Sequence, residues 1–401
     1  MRLAAGFRAL AAMALVAGTL AAHAAEMRGV TATEIRIGQT MPYSGPVSAF
    51  GALGKGEVGY FKMLNERGGI NGRKINLISL DDGYAPPKTV EQTRRLVESD
   101  EVALIFSSIG TAHNTAIAKY LQGKNIPQLF LASGASKFGD IAQYPQATVG
   151  VQAPFRYEAR LYVRHALAKN QDAKFAVLSQ NDDFGRDYLL GLKDVLGDKY
   201  ETKVTGATYE VTDPTIDSQI VKLKASGADV FVIAATPKFA AQAIRKSFEI
   251  GWRPMTFLSN VAVWISTVMI PAGLEASTGV LSTAYVKDPD DPAWANDAGV
   301  KGWREFMTKY VPEGDLHDTN YVNAYNSAMV LEAVLKACGD DLSTENILKQ
   351  AYSIHDLELP MLLPGIKVNT SPTDHVPVDQ MQFMRFNGKS WDRFGDLQTG
   401  N

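Results

Sequence analysis

From Glu34 onward the chain repeats one unit: a short apolar segment, a turn of polar residues or glycine, then an amphipathic stretch. Apolar runs of this kind, bounded by turn residues, read as strands buried on both faces. Strands alternating with helices give parallel sheets covered by helices, so the fold class is α/β. Strands are predicted at Glu34–Met41, Ile75–Asp81, Ala103–Ser107, Gln128–Leu131, Phe175–Ser179, Asp229–Ala234 and Thr256–Leu258. Helices are predicted over Thr89–Glu98, Asn114–Gln122, Phe155–Ala168, Asp187–Leu196, Ser218–Ala225 and Phe239–Ile250. An earlier helix is marked by Val58, Phe61 and Leu64, spaced to share an apolar face before Gly68-Gly69 stops it.

Gln152-Ala153-Pro154 interrupts this series, and a second series starts near Phe175. After Gly279–Ala284 the pattern changes to Pro- and Asp-rich turns (Asp288–Pro292) and two long helices, Trp294–Tyr310 and Asn320–Ala337. A final strand, Met381–Phe386, follows a Pro-rich loop, Pro360–Pro377. A length of 401 residues suits two domains at ~100–200 residues each. The expected organisation is two lobes with the chain crossing between them more than once: 25–152 with 284–380, and 153–283 with 381–401.

Residues 1–24 read as a signal peptide. Arg2 and Arg8 precede an apolar stretch ending at Ala22, and Ala22-His23-Ala24 supplies small residues at −3 and −1. The stretch is shorter than the ~20 residues that span a bilayer, so cleavage after Ala24 and export to the periplasm are expected. Forty Lys plus Arg against 43 Asp plus Glu leave no basic footprint for nucleic acid. A lone cysteine, Cys338, excludes an internal disulfide and thiolate metal clusters; it is expected on an apolar helix face.

No catalytic signature holds. There is no G-x-x-x-x-G-K-[ST] phosphate loop, no G-x-G-x-x-G opening a helix after the first strand, no G-x-S-x-G elbow and no H-E-x-x-H. The six histidines are dispersed, so neither a metal nor a cofactor is expected. Asp81-Asp82 and Asp182-Asp183 sit where strands end or helices begin, which suits capping better than acid–base work.

The informative residues are in the turns. Ligands of open parallel sheets bind beyond the carboxyl ends of the strands. There the chain places Tyr43-Ser44-Gly45, Phe50, Gly83-Tyr84, Ser108-Ile109-Gly110-Thr111 and Ala132-Ser133-Gly134. The second series adds Asp183-Phe184, Thr236-Pro237-Lys238-Phe239, Asn260-Val261 and Trp264. Small residues before a helix let its backbone N–H groups approach an anion such as a carboxylate. The aromatics offer flat apolar walls.

In order and spacing, several segments resemble the periplasmic leucine/isoleucine/valine-type solute-binding proteins of ABC importers. They are Ile35–Met41 running into Ser44-Gly45-Pro46, Asn65–Arg73, Asp81-Asp82, Asn181–Gly185, Asp213–Ser218 and Ala225–Asp229. The resemblance implies a type I binding-protein fold: two lobes, three hinge crossovers and closure over one small molecule. It implies delivery to a membrane permease, with ATP hydrolysed by another subunit, and a monomeric chain that is not an enzyme. It places carboxylate contacts at Ser108, Gly110 and Thr111 and at Ala132, Ser133 and Gly134, ring stacking at Phe50 and Phe184, and closure of the second lobe at Thr236. Val261, with Asn260 beside it, falls where amino-acid-binding relatives carry an acidic residue for the ligand's ammonium. Without it a buried ammonium is costly, unless Asp183 or Glu210 substitutes. The sequence therefore favours an aromatic or other apolar acid over a branched-chain amino acid, with Tyr43, Tyr84, Phe239 and Trp264 as further candidate walls. A periplasmic ligand sensor on the same fold is the alternative, and an exported enzyme a third.

Overall fold

The structure, a computed structural model, describes residues 27–400; the expected signal peptide lies outside them. Its strands are β1 (Glu34–Met41), β2 (Lys74–Asp81), β3 (Leu104–Phe106), β4 (Gln128–Leu129), β5 (Phe175–Gln180), β6 (Val204–Tyr209), β7 (Val230–Ala234), β8 (Met255–Leu258), β9 (Leu281–Ala284), β10 (Gln380–Phe386) and β11 (Trp391–Thr399). The longer helices are α1 (Gly51–Glu66), α2 (Pro86–Glu98), α3 (Thr111–Gly123), α4 (Phe155–Lys169), α5 (Asp183–Leu196), α6 (Asp217–Ala225), α7 (Pro237–Glu249), α8 (Ala298–Tyr310), α9 (Asn320–Ala337) and α10 (Thr344–Ala351).

The strands form two sheets, ordered β2-β1-β3-β4 and β11-β10-β9-β8-β7-β5-β6. The first is parallel throughout. The second is parallel from β6 to β9 and ends in the antiparallel pairs β9–β10 and β10–β11. Both are doubly wound: strand order reverses between β1 and β3, and again between β5 and β7. Those reversals open the crevices in which such sheets hold ligands. The chain crosses three times: before α4 into the second sheet, after β9 back to helices packed on α1, and before β10 out again.

The first sheet's buried helix face differs from the sequence expectation. Val58 is 46% exposed, because α1 packs on two sides, against β2 and against α8 and α9. Its buried arc therefore runs through Gly56, Gly59, Tyr60, Phe61, Met63 and Leu64. Gly54, Gly56 and Gly59 do spell G-x-G-x-x-G, but inside the helix, where they serve close packing. A Cβ on Gly56 would lie 2.6 Å from the Ala324 Cβ.

Three elements escaped the pattern. β6 and β11 are edge strands whose exposed residues interrupt the apolar run, as edges require, and α10 spans only 8 residues. The helix expected from Trp294 starts at Ala298, where Asp297 accepts from the Val300 N–H at 3.0 Å. Cys338 is buried at the end of α9, and burial pushes its thiol up to about 12.

Two carboxyls lie deep in the fold. Glu57 accepts from Gln39 Nε2 beneath β1, and burial lifts it to about 8. Glu158, on α4, is lifted to about 7 by burial. A carboxyl whose folded pKa is raised binds its proton more tightly when folded. Its contribution is complete below the ordinary 4.5 and lost as pH rises through the folded value. Unfolding free energy is therefore expected to decline between about pH 5 and pH 8, and Glu57→Gln to flatten that decline, as read by urea denaturation. An unchanged slope in the variant would assign the pH dependence elsewhere.

Candidate ligand-binding cleft

The turns at the two strand-order reversals face one cavity, lined from the first sheet's side by Phe50, Tyr84, Gly110, Thr111, Ala132 and Ser133. Thr236, Asn260, Val261, Trp264 and Phe184 line it from the other side. Its volume is about 80 Å³, counted as space open to the centre of a water-sized sphere.

The polar end is built at the start of α3. Gly110 has φ +100°, a region that glycine alone enters freely; its N–H donates to the Ala132 carbonyl at 3.2 Å. That bond and the Ile109–Ala132 bridge continue the β3–β4 pairing into the turns. Behind them Asn114 Nδ2 donates to the carbonyls of Ser108 (2.7 Å) and Gly110 (2.8 Å), while its Oδ1 accepts from Gln128 Nε2 at 2.8 Å. Both turns are thereby held rigidly. Thr111 Oγ1 and Ser133 Oγ meet at 2.7 Å on the cavity wall. The first N–H groups of α3 have no acceptor within the helix, and its positive dipole end faces the same space. Hydroxyls and N–H groups converging without a cation suit a carboxylate.

The remaining walls are apolar and cross the cleft. Phe50, before α1, meets Trp264 edge to face at 5.1 Å and 79°. Phe184, at the start of α5, packs edge-on to Phe155 at 4.8 Å. Asp182 caps α5, accepting from the N–H groups of Phe184 (3.0 Å) and Gly185 (3.3 Å), so the expected capping role fixes a wall residue in place. Next to it Asp183 pairs with Lys137 at 2.5 Å and Arg186 at 2.8 Å, and Ser136 N–H donates to Asp187 at 2.9 Å. These bonds tie α5 to the segment following β4.

Of the residues expected to touch or wall the ligand, four stand off the cavity. Ser108 lies behind the turn, its Oγ accepting from the Thr40 N–H at 2.9 Å. The Gly134 carbonyl accepts from the Phe155 N–H at 2.9 Å. Tyr43 is turned toward Ser79, 2.6 Å away. Phe239 is fully buried against Tyr209, with ring centres 4.2 Å apart; its apolar helix face decided its place. Asp183 and Glu210 do not stand in for the absent acid: Asp183 is paired as above, and Glu210 accepts from Asn181 at 2.5 Å.

The cavity also takes in residues the sequence reading missed. Asn320, Asn323 and Ser327 present one polar stripe of α9, spaced by three and four positions. That three-and-four spacing on one face of the helix was the available signal. Gln152, Phe155 and Tyr285 come from segments where the chain passes between the sheets. No Asp, Glu, Lys, Arg or His is among the lining residues. One buried acid, Glu158, lies behind Asn260 and accepts its backbone N–H at 3.2 Å, together with the hydroxyls of Thr283 and Tyr188.

Residues 34–390 match the model of the family described as periplasmic binding protein. A relative named Leu/Ile/Val-binding protein homolog 7, from Brucella abortus, is 24% identical over 367 residues, covering 87% of this chain and 86% of its own. Among solved structures, the branched-chain amino acid ABC transporter protein of Thermus thermophilus with bound valine superposes at a TM-score of 0.80, with 17% identity over 92% of this chain and 97% of its own. The fatty acid ABC transporter substrate-binding protein of Thermomonospora curvata superposes at 0.76, with 19% identity over 92% and 94%. Both share the two-lobed fold. With that family match spanning both sheets and its ligand crevices meeting in one cavity, the chain belongs to the periplasmic binding protein family, which binds substrates rather than transforming them.

Proposed function

We propose that this chain is the exported, monomeric solute-capturing subunit of an ABC importer, which closes two lobes over one small carboxylate and hands it to a membrane permease. The lobes divide as 25–152 with 284–380, and 153–283 with 381–401. The favoured ligand is an aromatic or other apolar acid, with a branched-chain amino acid next. One observation carries this reading: the wall around the α3 start offers hydroxyls and backbone N–H groups but no acidic side chain. An α-amino acid bears its ammonium on the carbon next to the carboxylate, so docking the carboxylate there would bury the ammonium against neutral groups, at a cost of several kcal/mol.

A thermal-shift screen of benzoates, short aliphatic acids and leucine tests it. A ligand that binds only the folded state stabilises by RT ln(1 + [L]/Kd), about 2.7 kcal/mol at a hundred times Kd. Benzoate-type acids are expected to raise the melting temperature and leucine to leave it nearly unchanged. A strong shift with leucine and none with benzoates would reverse the ligand class.

A further inference from the structure

A second cavity of about 50 Å³ adjoins the first, and Asn260, Trp264, Tyr285 and Asn323 line both. Its wall carries Asp288, Asp290 and His317. Asp290 is already partnered, by His317 Nδ1 at 2.6 Å and by Arg304 at 3.4 Å. Asp288 differs: its Oδ1 accepts the Asp290 N–H at 2.9 Å, and it enters no ion pair among the described residues. At the junction, Asn260 is 8% exposed, and neither its amide nitrogen nor its amide oxygen has a partner. A buried amide with both ends unpaired is rare in native folds and calls for a group that is not part of the chain. Asp288 is partly buried beside Asp290 and Asp291, and the His317 imidazole that also acts on it is already held by Asp290, so the site favours a further cation.

We propose that the two cavities form one elongated chamber, in which Asn260 hydrogen-bonds the ligand at its waist and Asp288 receives an amine at the end remote from the carboxylate. The ligand class is then a carboxylate whose ammonium is separated from it by an apolar spacer, distinct from an α-amino acid. This rests on the reading of the α3 start as the carboxylate pocket.

Calorimetric titration of the mature chain with para-methylbenzoate and para-(aminomethyl)benzoate, which differ only in the terminal amine, tests it. The amine compound is expected to bind at least tenfold more tightly. Asp288→Asn keeps an acceptor for the Asp290 N–H; it is expected to cancel that gain while leaving para-methylbenzoate within twofold. Equal affinity of the two compounds, or equal weakening of both by Asp288→Asn, overturns the chamber and leaves the carboxylate pocket standing. Failure of both compounds to bind removes the carboxylate pocket, and this proposal with it.

Discussion

Replacing Gly110 by Asp is expected to abolish ligand binding, with a loss on the order of a thousandfold. Two effects combine, and they can be separated. At φ +100° a Cβ is strained, and here it would lie 2.3 Å from His113 Nδ1, so any side chain disturbs the turn. A carboxylate adds repulsion: like charges ~4 Å apart at an effective dielectric of ~20 oppose one another by ~4 kcal/mol. Gly110→Ala carries the strain without the charge. Both variants should melt at similarly lowered temperatures, with Ala retaining measurable affinity for a benzoate-type acid and Asp losing it. If Asp binds as well as Ala, the anion does not sit at the start of α3.

Glu158→Ala is expected to cost ~3–5 kcal/mol of stability. The side chain is fully buried and accepts from the Thr283 and Tyr188 hydroxyls and the Asn260 N–H. Truncation leaves those donors unsatisfied around a void. Glu158→Gln keeps the volume and one acceptor oxygen, and should cost less than half as much. Because the Asn260 N–H loses its acceptor, the Ala variant should also bind ligand more weakly. Denaturant titration with and without ligand reads both effects. An Ala variant within ~1 kcal/mol of the native chain would show that this network does not hold α4 to the second sheet.

The alternation of strands and helices was legible because central parallel strands such as β7, buried along its whole length, leave unbroken apolar runs. Turns at strand ends were legible for a related reason: topology alone sends them to the crevice, whatever their side chains. What could not be read was which way a residue within a turn points. Ser108 and Thr111 are three positions apart, yet one hydroxyl faces the Thr40 N–H and the other the cavity. Phe239 and Phe184 each lie near a helix start, but the first enters the core of its sheet and the second the wall of the cleft. Tyr285 and Gln152 carried no local signal, because their role exists only where the chain passes between sheets. The absence of an acid at Val261 was visible in the sequence; the carboxyl of Asp288 bordering the adjoining cavity was not, since some 27 positions separate them.

The packing of α8 and α9 on α1 joins segments far apart along the chain: Tyr60 donates to Glu332 across 272 positions. A polypeptide that emerges in sequence order therefore displays its first sheet uncovered until most of the remainder has been made. Contacts of such high order slow the closing of a fold. For the exported subunit proposed above, such a delay would keep the leading half pliable while it passes through a membrane.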